Sequence, residues 1–275
     1  MNTSPSPLTA ETVYHKEGNT IFFGEYPQTV KHPDVIIDEN TTDARGYYPG
    51  GDGCFYAKVT AWPDCETTCV FSSGATFQTD DICFFKVEPI RWRILKDDGE
   101  KYFLLADSIL KNRWFAHASN NYEQSIVRAF LNQEFYHIAF STQEQEWILN
   151  TVVDNGPETT GWPDTPFVCR DTEDKIFLPS YSEVVNEEYG FSPKAREYDE
   201  ARQMLVSDYA KALGCYVVQT NDRLYYDRGC WWLRSPAFQD IDYARVVWYH
   251  GGVDCLIEEV SELCTGVVPA LYLKK

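Results

Sequence analysis

Nine cysteines are the residues of this 275-residue chain best suited to hold a metal or carry redox chemistry. Cys54, Cys65, Cys69 and Cys83 crowd into one stretch, while Cys169, Cys215, Cys230, Cys255 and Cys264 are scattered. Cys65 and Cys69 have a gap that a structural zinc site tolerates, but the outer spacings are irregular, so unpaired thiols are the better reading. An odd number of cysteines without a secretory leader predicts reduced thiols and cytoplasmic synthesis. Carboxylates are abundant without a catalytic frame. Glu187-Glu188 and Glu258-Glu259 read as solvated charge. Asp38-Glu39 and Asp80-Asp81 are the residues a calcium site would draw on, since calcium takes several oxygen ligands, but they lack the EF-hand spacing. The expectation is no cofactor, with calcium the one ion left open. His15, His32, His117, His137 and His250 are isolated from one another, and no glycine-rich phosphate loop, nucleophile elbow or H-E-x-x-H helix is present.

Two strings stand out near the C-terminus. Trp231-Trp232-Leu233-Arg234-Ser235-Pro236 reads as a core strand ended by proline. Arg234 within it then needs a carboxylate or carbonyl partner, because an unpaired buried charge is costly. Beyond it lie Ala237, Phe238, Gln239, Asp240, Ile241, Asp242 and Tyr243, then Trp248, Tyr249 and His250 before two glycines, then Asp254, Cys255, Leu256 and Ile257. Such a mixture suits a binding surface, since aromatic rings give contact area for few lost torsions and short polar groups adapt their hydrogen bonds. An ordinary core with the rings turned inward has the same composition.

Twenty-four basic against 42 acidic residues give a net charge of −18, which argues against a nucleic-acid or anionic-membrane interface. At 44% hydrophobic residues the chain can bury a sizeable core. No apolar run approaches a bilayer span, and residues 1–7 lack the charge and apolar stretch of a signal peptide.

The elements that position these strings follow from periodicity. Residues 1–11 read as a flexible tail, and 12–275 as one domain with an inserted β-rich meander at about 30–82. Strands are predicted at 20–24, 55–60, 101–106 and 89–95, where Ile90, Trp92 and Ile94 alternate with Arg91 and Arg93. Asp97-Asp98-Gly99 marks a hairpin turn. Ser125 caps a helix carrying Ile126, Val127, Phe130 and Leu131. Ser141/Glu144 and Ser180/Glu183 form capping boxes. A strand at 174–179, a longer helix over 198–213 stopped by Gly214, and strands at 230–234, 243–248, 252–257 and 267–273 complete an α+β pattern whose terminal strands come together.

Taken together, certain motifs resemble a widespread bacterial family catalogued as a domain of unknown function. They are Phe23-Gly24-Glu25-Tyr26-Pro27-Gln28, Val87-Glu88-Pro89-Ile90-Arg91-Trp92-Arg93-Ile94-Leu95, Asn120-Asn121-Tyr122, Ile126 to Asn132, Phe140-Ser141, Lys175 to Ser180, the Trp231 to Pro236 string, Tyr243-Ala244-Arg245 and Gly266 to Leu271. The resemblance implies a C-type lectin-like fold of the formylglycine-generating-enzyme type. Many relatives look like the variable proteins of diversity-generating retroelements, in which adenine-directed copying errors alter codons on the ligand-binding face. A template codon of two adenines and a pyrimidine cannot become Lys, Glu, Gln, Met or Trp. Ala237, Phe238, Asp240, Ile241, Asp242, Tyr249, His250, Asp254, Leu256 and Ile257 are all reachable, whereas Gln239, Trp248 and Glu258 must be fixed or come from other codons.

The resemblance therefore implies a non-enzymatic binding protein, displayed on a phage or cell surface, with a variable face at 237–258, comprising those ten residues and Trp248, and with a protein as its ligand. It departs from the sugar-binding lectins, whose calcium-and-sugar tripeptides are absent. Two rival readings are a copper or thiol oxidase using Cys255 or Cys264, and a fixed-partner interaction module without diversification.

Overall fold

The computed structural model describes residues 13–64, 69–219, 224–238 and 240–275, with 254–257 described in backbone only. Its spine is the strand Ile82–Asp97, 16 residues long. One half of that strand pairs with Phe55–Thr60, the middle with Thr20–Val30, and the end with Lys101–Ala106. Alternation is what lets it do so: Ile90, Trp92 and Ile94 are buried while Arg91 faces solvent. Asp97-Asp98-Gly99 turns the chain back, with Gly99 at φ +95°. Lys101–Ala106 has both faces covered and runs beside Ala270–Lys274, which in turn pairs with Ile176–Phe177. The first and last long strands thus share one eight-stranded sheet. Tyr48–Pro49 and Phe55–Thr60 hang a small β-extension on it, and Cys69–Val70 pairs with Thr76–Phe77 alongside.

A second, five-stranded sheet runs Lys111–Asn112, Gly266–Val267, Trp231–Pro236, Tyr243–Val247, Val253–Glu259. Between the sheets lies a core in which Trp92, Trp231 and Trp232 are fully enclosed. Each indole N–H donates to a carbonyl, of Phe23, Arg202 and Arg113 respectively, so none loses a hydrogen bond on burial. Ser125 caps a short helical run through Ile126–Ala129, a π turn at Phe130–Phe135 and Tyr136–Ala139 that buries Val127, Phe130, Leu131 and Phe135. Both capping boxes form as their spacing predicts. The described molecule is mixed α+β, rich in strands and poor in helix.

The expected helix over 198–213 does not form. Glu200–Arg202 is a single 3-10 turn, Met204–Val206 is a strand, and only Asp208–Ala212 is α-helical. Ser207 caps that last helix, and Met204–Val206 is drawn into a ladder with Ser108–Ile109 and Arg228–Gly229. Non-local pairing overrides a helical period. Gly214 stops the helix at φ +92° as expected. The strand expected at 267–273 is two strands, because Pro269 cannot donate to a ladder. At 174–179, only Thr172–Asp174 and Ile176–Phe177 pair.

A buried carboxylate helps to fasten the insertion. Asp208 accepts from Val30 N at 3.1 Å, Ser72 N at 2.7 Å and Ser72 Oγ at 2.7 Å, and it is charge-balanced by buried Lys211.

Candidate functional site

Tyr243–Val247 is bonded on both sides, so the turns before and after it leave from opposite ends. A strand rise of about 3.3 Å per residue separates Asp242 from Trp248 by roughly 20 Å. The segment expected to form one face therefore makes two.

At the first turn, Ala237 is fully buried, which corrects its expected place on a variable surface, and its N–H donates to Tyr243 O. Phe238 and Ile241 are 41% and 46% exposed, and Asp240 and Asp242 are exposed as well. The backbone beneath them is held from within. Buried Asn120 donates its N–H to Ile241 O at 2.8 Å, and its amide to Asp240 O at 3.0 Å and Tyr243 O at 2.9 Å. The Asp240 carboxylate accepts from Asp242 N, a local turn bond that leaves the side chains outside. Phe238 leans on Trp162 with ring centroids 5.4 Å apart. Below that ring, the buried Arg245 guanidinium is stacked between Trp162 and Tyr181. At the foot of the turn the Tyr243 phenol is pushed up by neighbouring Glu259.

At the second turn, Trp248, Tyr249 and His250 are half-buried; the rings of Tyr249 and His250 meet Tyr225 and, through it, Tyr198, and Trp248 packs on Tyr249. Gly251 sits at φ +85°, where a Cβ would lie 2.0 Å from Asp199 O. Its carbonyl accepts from Arg202 Nε, while the remaining Arg202 donors go to the carbonyls of Val184, Ser192, Lys194 and Glu197. This arginine ties the turn to the loop beside it. Asp254, Leu256 and Ile257 lie in the strand Val253–Glu259, with side chains outside the described residues; Gln239 also lies outside them.

Trp162, Tyr181, Tyr198 and Tyr225 had no spacing signal, because they reach the site from distant segments. Asn120 stood in a quoted motif without a role. Arg234 meets its expectation: it forms a two-point ion pair with Glu183, at 2.5 and 3.2 Å, and donates to Leu178 O at 2.8 Å.

Among the described residues no group of three or more His, Cys, Asp or Glu side chains could hold a metal ion. Cys54, Cys83, Cys169, Cys215, Cys230 and Cys264 are free thiols. Cys69 is disulfide-bonded, which corrects the expectation of reduced cysteines and removes it as a zinc ligand; Cys65 lies outside the described residues. The crowding that suggested a metal also brings thiols within bridging reach. Burial, with Glu262 and Asp64 nearby, pushes the Cys264 thiol up, opposite to the activation an oxidase thiol needs. Cys215 is likewise pushed well up by burial. The Cys255 side chain lies outside the described residues.

A strand-rich α+β domain with two internally braced turns is the class that fold and site define. Residues 99–275 match the model of a domain of unknown function, DUF6273, and the chain belongs to that family. No curated protein and no solved structure matches it. The insertion precedes the matched residues. Among the described residues, no helix is long and apolar enough to cross a membrane.

Proposed function

We propose that this protein is a non-enzymatic binding protein that presents the 237–242 turn to a protein ligand from a C-type lectin-like scaffold. The observation that carries this reading is the division of labour at that turn. Asn120 holds its backbone through three hydrogen bonds, while Phe238, Asp240, Ile241 and Asp242 make few internal commitments and face outward. Side chains there can be exchanged without disturbing the core, which is what a diversified surface requires. The variable protein of a diversity-generating retroelement is the specific form of the proposal, with Ala237 withdrawn from the variable set. Tyr249 and His250 belong to a second face at the other end of the central strand.

Two measurements test it. In a library randomised at 238, 240, 241 and 242, most members keep a Tm within a few degrees of the parent, whereas substitutions of Ala237 or Asn120 do not. A library that largely fails to fold sinks the binding-surface reading. For the retroelement, the neighbouring DNA carries a reverse-transcriptase gene and a near-copy of the segment encoding 237–258 that differs at adenines. Its absence leaves a fixed-partner module.

A further inference from the structure

Trp62 is 68% exposed, unusual for the largest apolar side chain. It does not stand alone. The backbones of three segments converge on Asn112, whose amide donates to Leu213 O at 2.9 Å and Leu263 O at 3.0 Å. Beside it, Trp62 N donates to Ala212 O, and a Cβ on Gly214 would lie 2.7 Å from Trp62 O. Leu263, 44% exposed, shares a cleft of about 440 Å³ with Trp114, which is 39% exposed, and with Arg113, His117 and Ile126. The ring of His117 lies 5.4 Å from that of Trp114. Trp114 and Leu263 thus share the cleft, and exposed Trp62 stands on backbone that borders it through Gly214 and Asn112; tryptophan is enriched at the energetic centre of interfaces.

The rim of this region is acidic. Asp64 and Glu258 are both raised from their ordinary values, by burial and then by Glu262, and Glu262, Asp64 and Glu258 all lie around Cys264. Arg113 is the cation within the cleft, and Glu134 faces it at 4.0 Å. A second copy of this chain, at −18, or an anionic lipid surface would bring like charge against this rim.

We propose that the Trp62–Trp114–Leu263 surface docks a basic amphipathic segment of a partner protein, with apolar side chains in the cleft and Lys or Arg against Asp64, Glu258 and Glu262. Trp62 and Asp64 come from the insertion, whereas the cleft residues Trp114 and Leu263, with Glu262, come from the family domain, so the insertion extends a cleft that the family domain forms. It does not depend on the 237–242 turn being variable.

The test uses a fluorescein-labelled 18-residue helical peptide of Leu and Lys in amphipathic order, and its Leu/Glu counterpart, titrated with the full chain. Anisotropy reports binding of the Lys peptide that weakens steeply between 50 and 500 mM salt, with none for the Glu peptide. Trp62→Ser and Leu263→Ser each weaken it at least tenfold at unchanged Tm, whereas Phe238→Ala does not. The doubly neutralised Asp64→Asn, Glu262→Gln chain loses most of the salt dependence. No binding of the Lys peptide, equal binding of both peptides, or indifference to Trp62→Ser overturns the proposal. So does preferential binding to anionic vesicles.

Discussion

The guanidinium of Arg245 lies 3.6 Å from the centre of the Trp162 ring, and the same indole supports Phe238. A buried cation is thereby coupled to an exposed aromatic through one half-buried ring. Trp162→Ala removes a desolvated cation–π contact worth about 2 kcal/mol, together with the ring's own packing. Urea denaturation should show a loss of at least that size, and Trp162→Phe a smaller one. The exposed Trp62→Ala should cost less than about 0.5 kcal/mol.

Arg234 is a second buried cation, paired with a carboxylate, Glu183. Glu183→Gln keeps the shape and the cap on Ser180 but leaves a buried guanidinium without its counter-charge, at a cost of about 3–5 kcal/mol. Ser180→Ala, which removes only the cap, should cost about 1 kcal/mol. If the two variants unfold at the same urea concentration, the ion pair contributes nothing beyond capping.

Gly251 is fixed by both conformation and space. Its left-handed φ and the 2.0 Å approach of a Cβ to Asp199 O make Gly251→Ala strained however the loop relaxes. The expected loss is about 2 kcal/mol or more. Near-ultraviolet circular dichroism should also show Trp248 and Tyr249 reoriented, while the 237–242 turn stays intact.

Glu258 is half-buried beside Glu262 and Glu259, so its folded pKa is raised, first by burial, and it binds a proton more readily in the folded than in the unfolded chain. Its contribution to stability is therefore present below the unfolded carboxylate value and lost as pH rises through the folded one. Glu258→Gln should raise Tm at pH 7, and the gain should shrink as pH falls toward 4. A gain that does not change with pH would mean that charge is not its cause.

Local chemistry was legible in the sequence. Ser141/Glu144 and Ser180/Glu183 announced their capping boxes, and the alternation of Ile90, Trp92 and Ile94 announced a half-buried strand. The burial of Arg234 with a partner followed from its place in an apolar string. What stayed hidden depends on distant residues. Nothing around 204–206 reveals that Ser108–Ile109 will recruit it into a ladder. Trp162 and Tyr181 reach Arg245 from other segments of the chain. Composition grouped Phe238 with Tyr249, although the strand between them sends their turns in opposite directions.

Placing Ala270–Lys274 between Lys101–Ala106 and Ile176–Phe177 sets the order of events on the ribosome. Until those late residues emerge, Leu104 and Leu105 belong to an open edge, apolar on both faces, that other nascent chains can pair with. Translation halted upstream of Ala270 would release a chain with that edge uncovered and open to pairing with others.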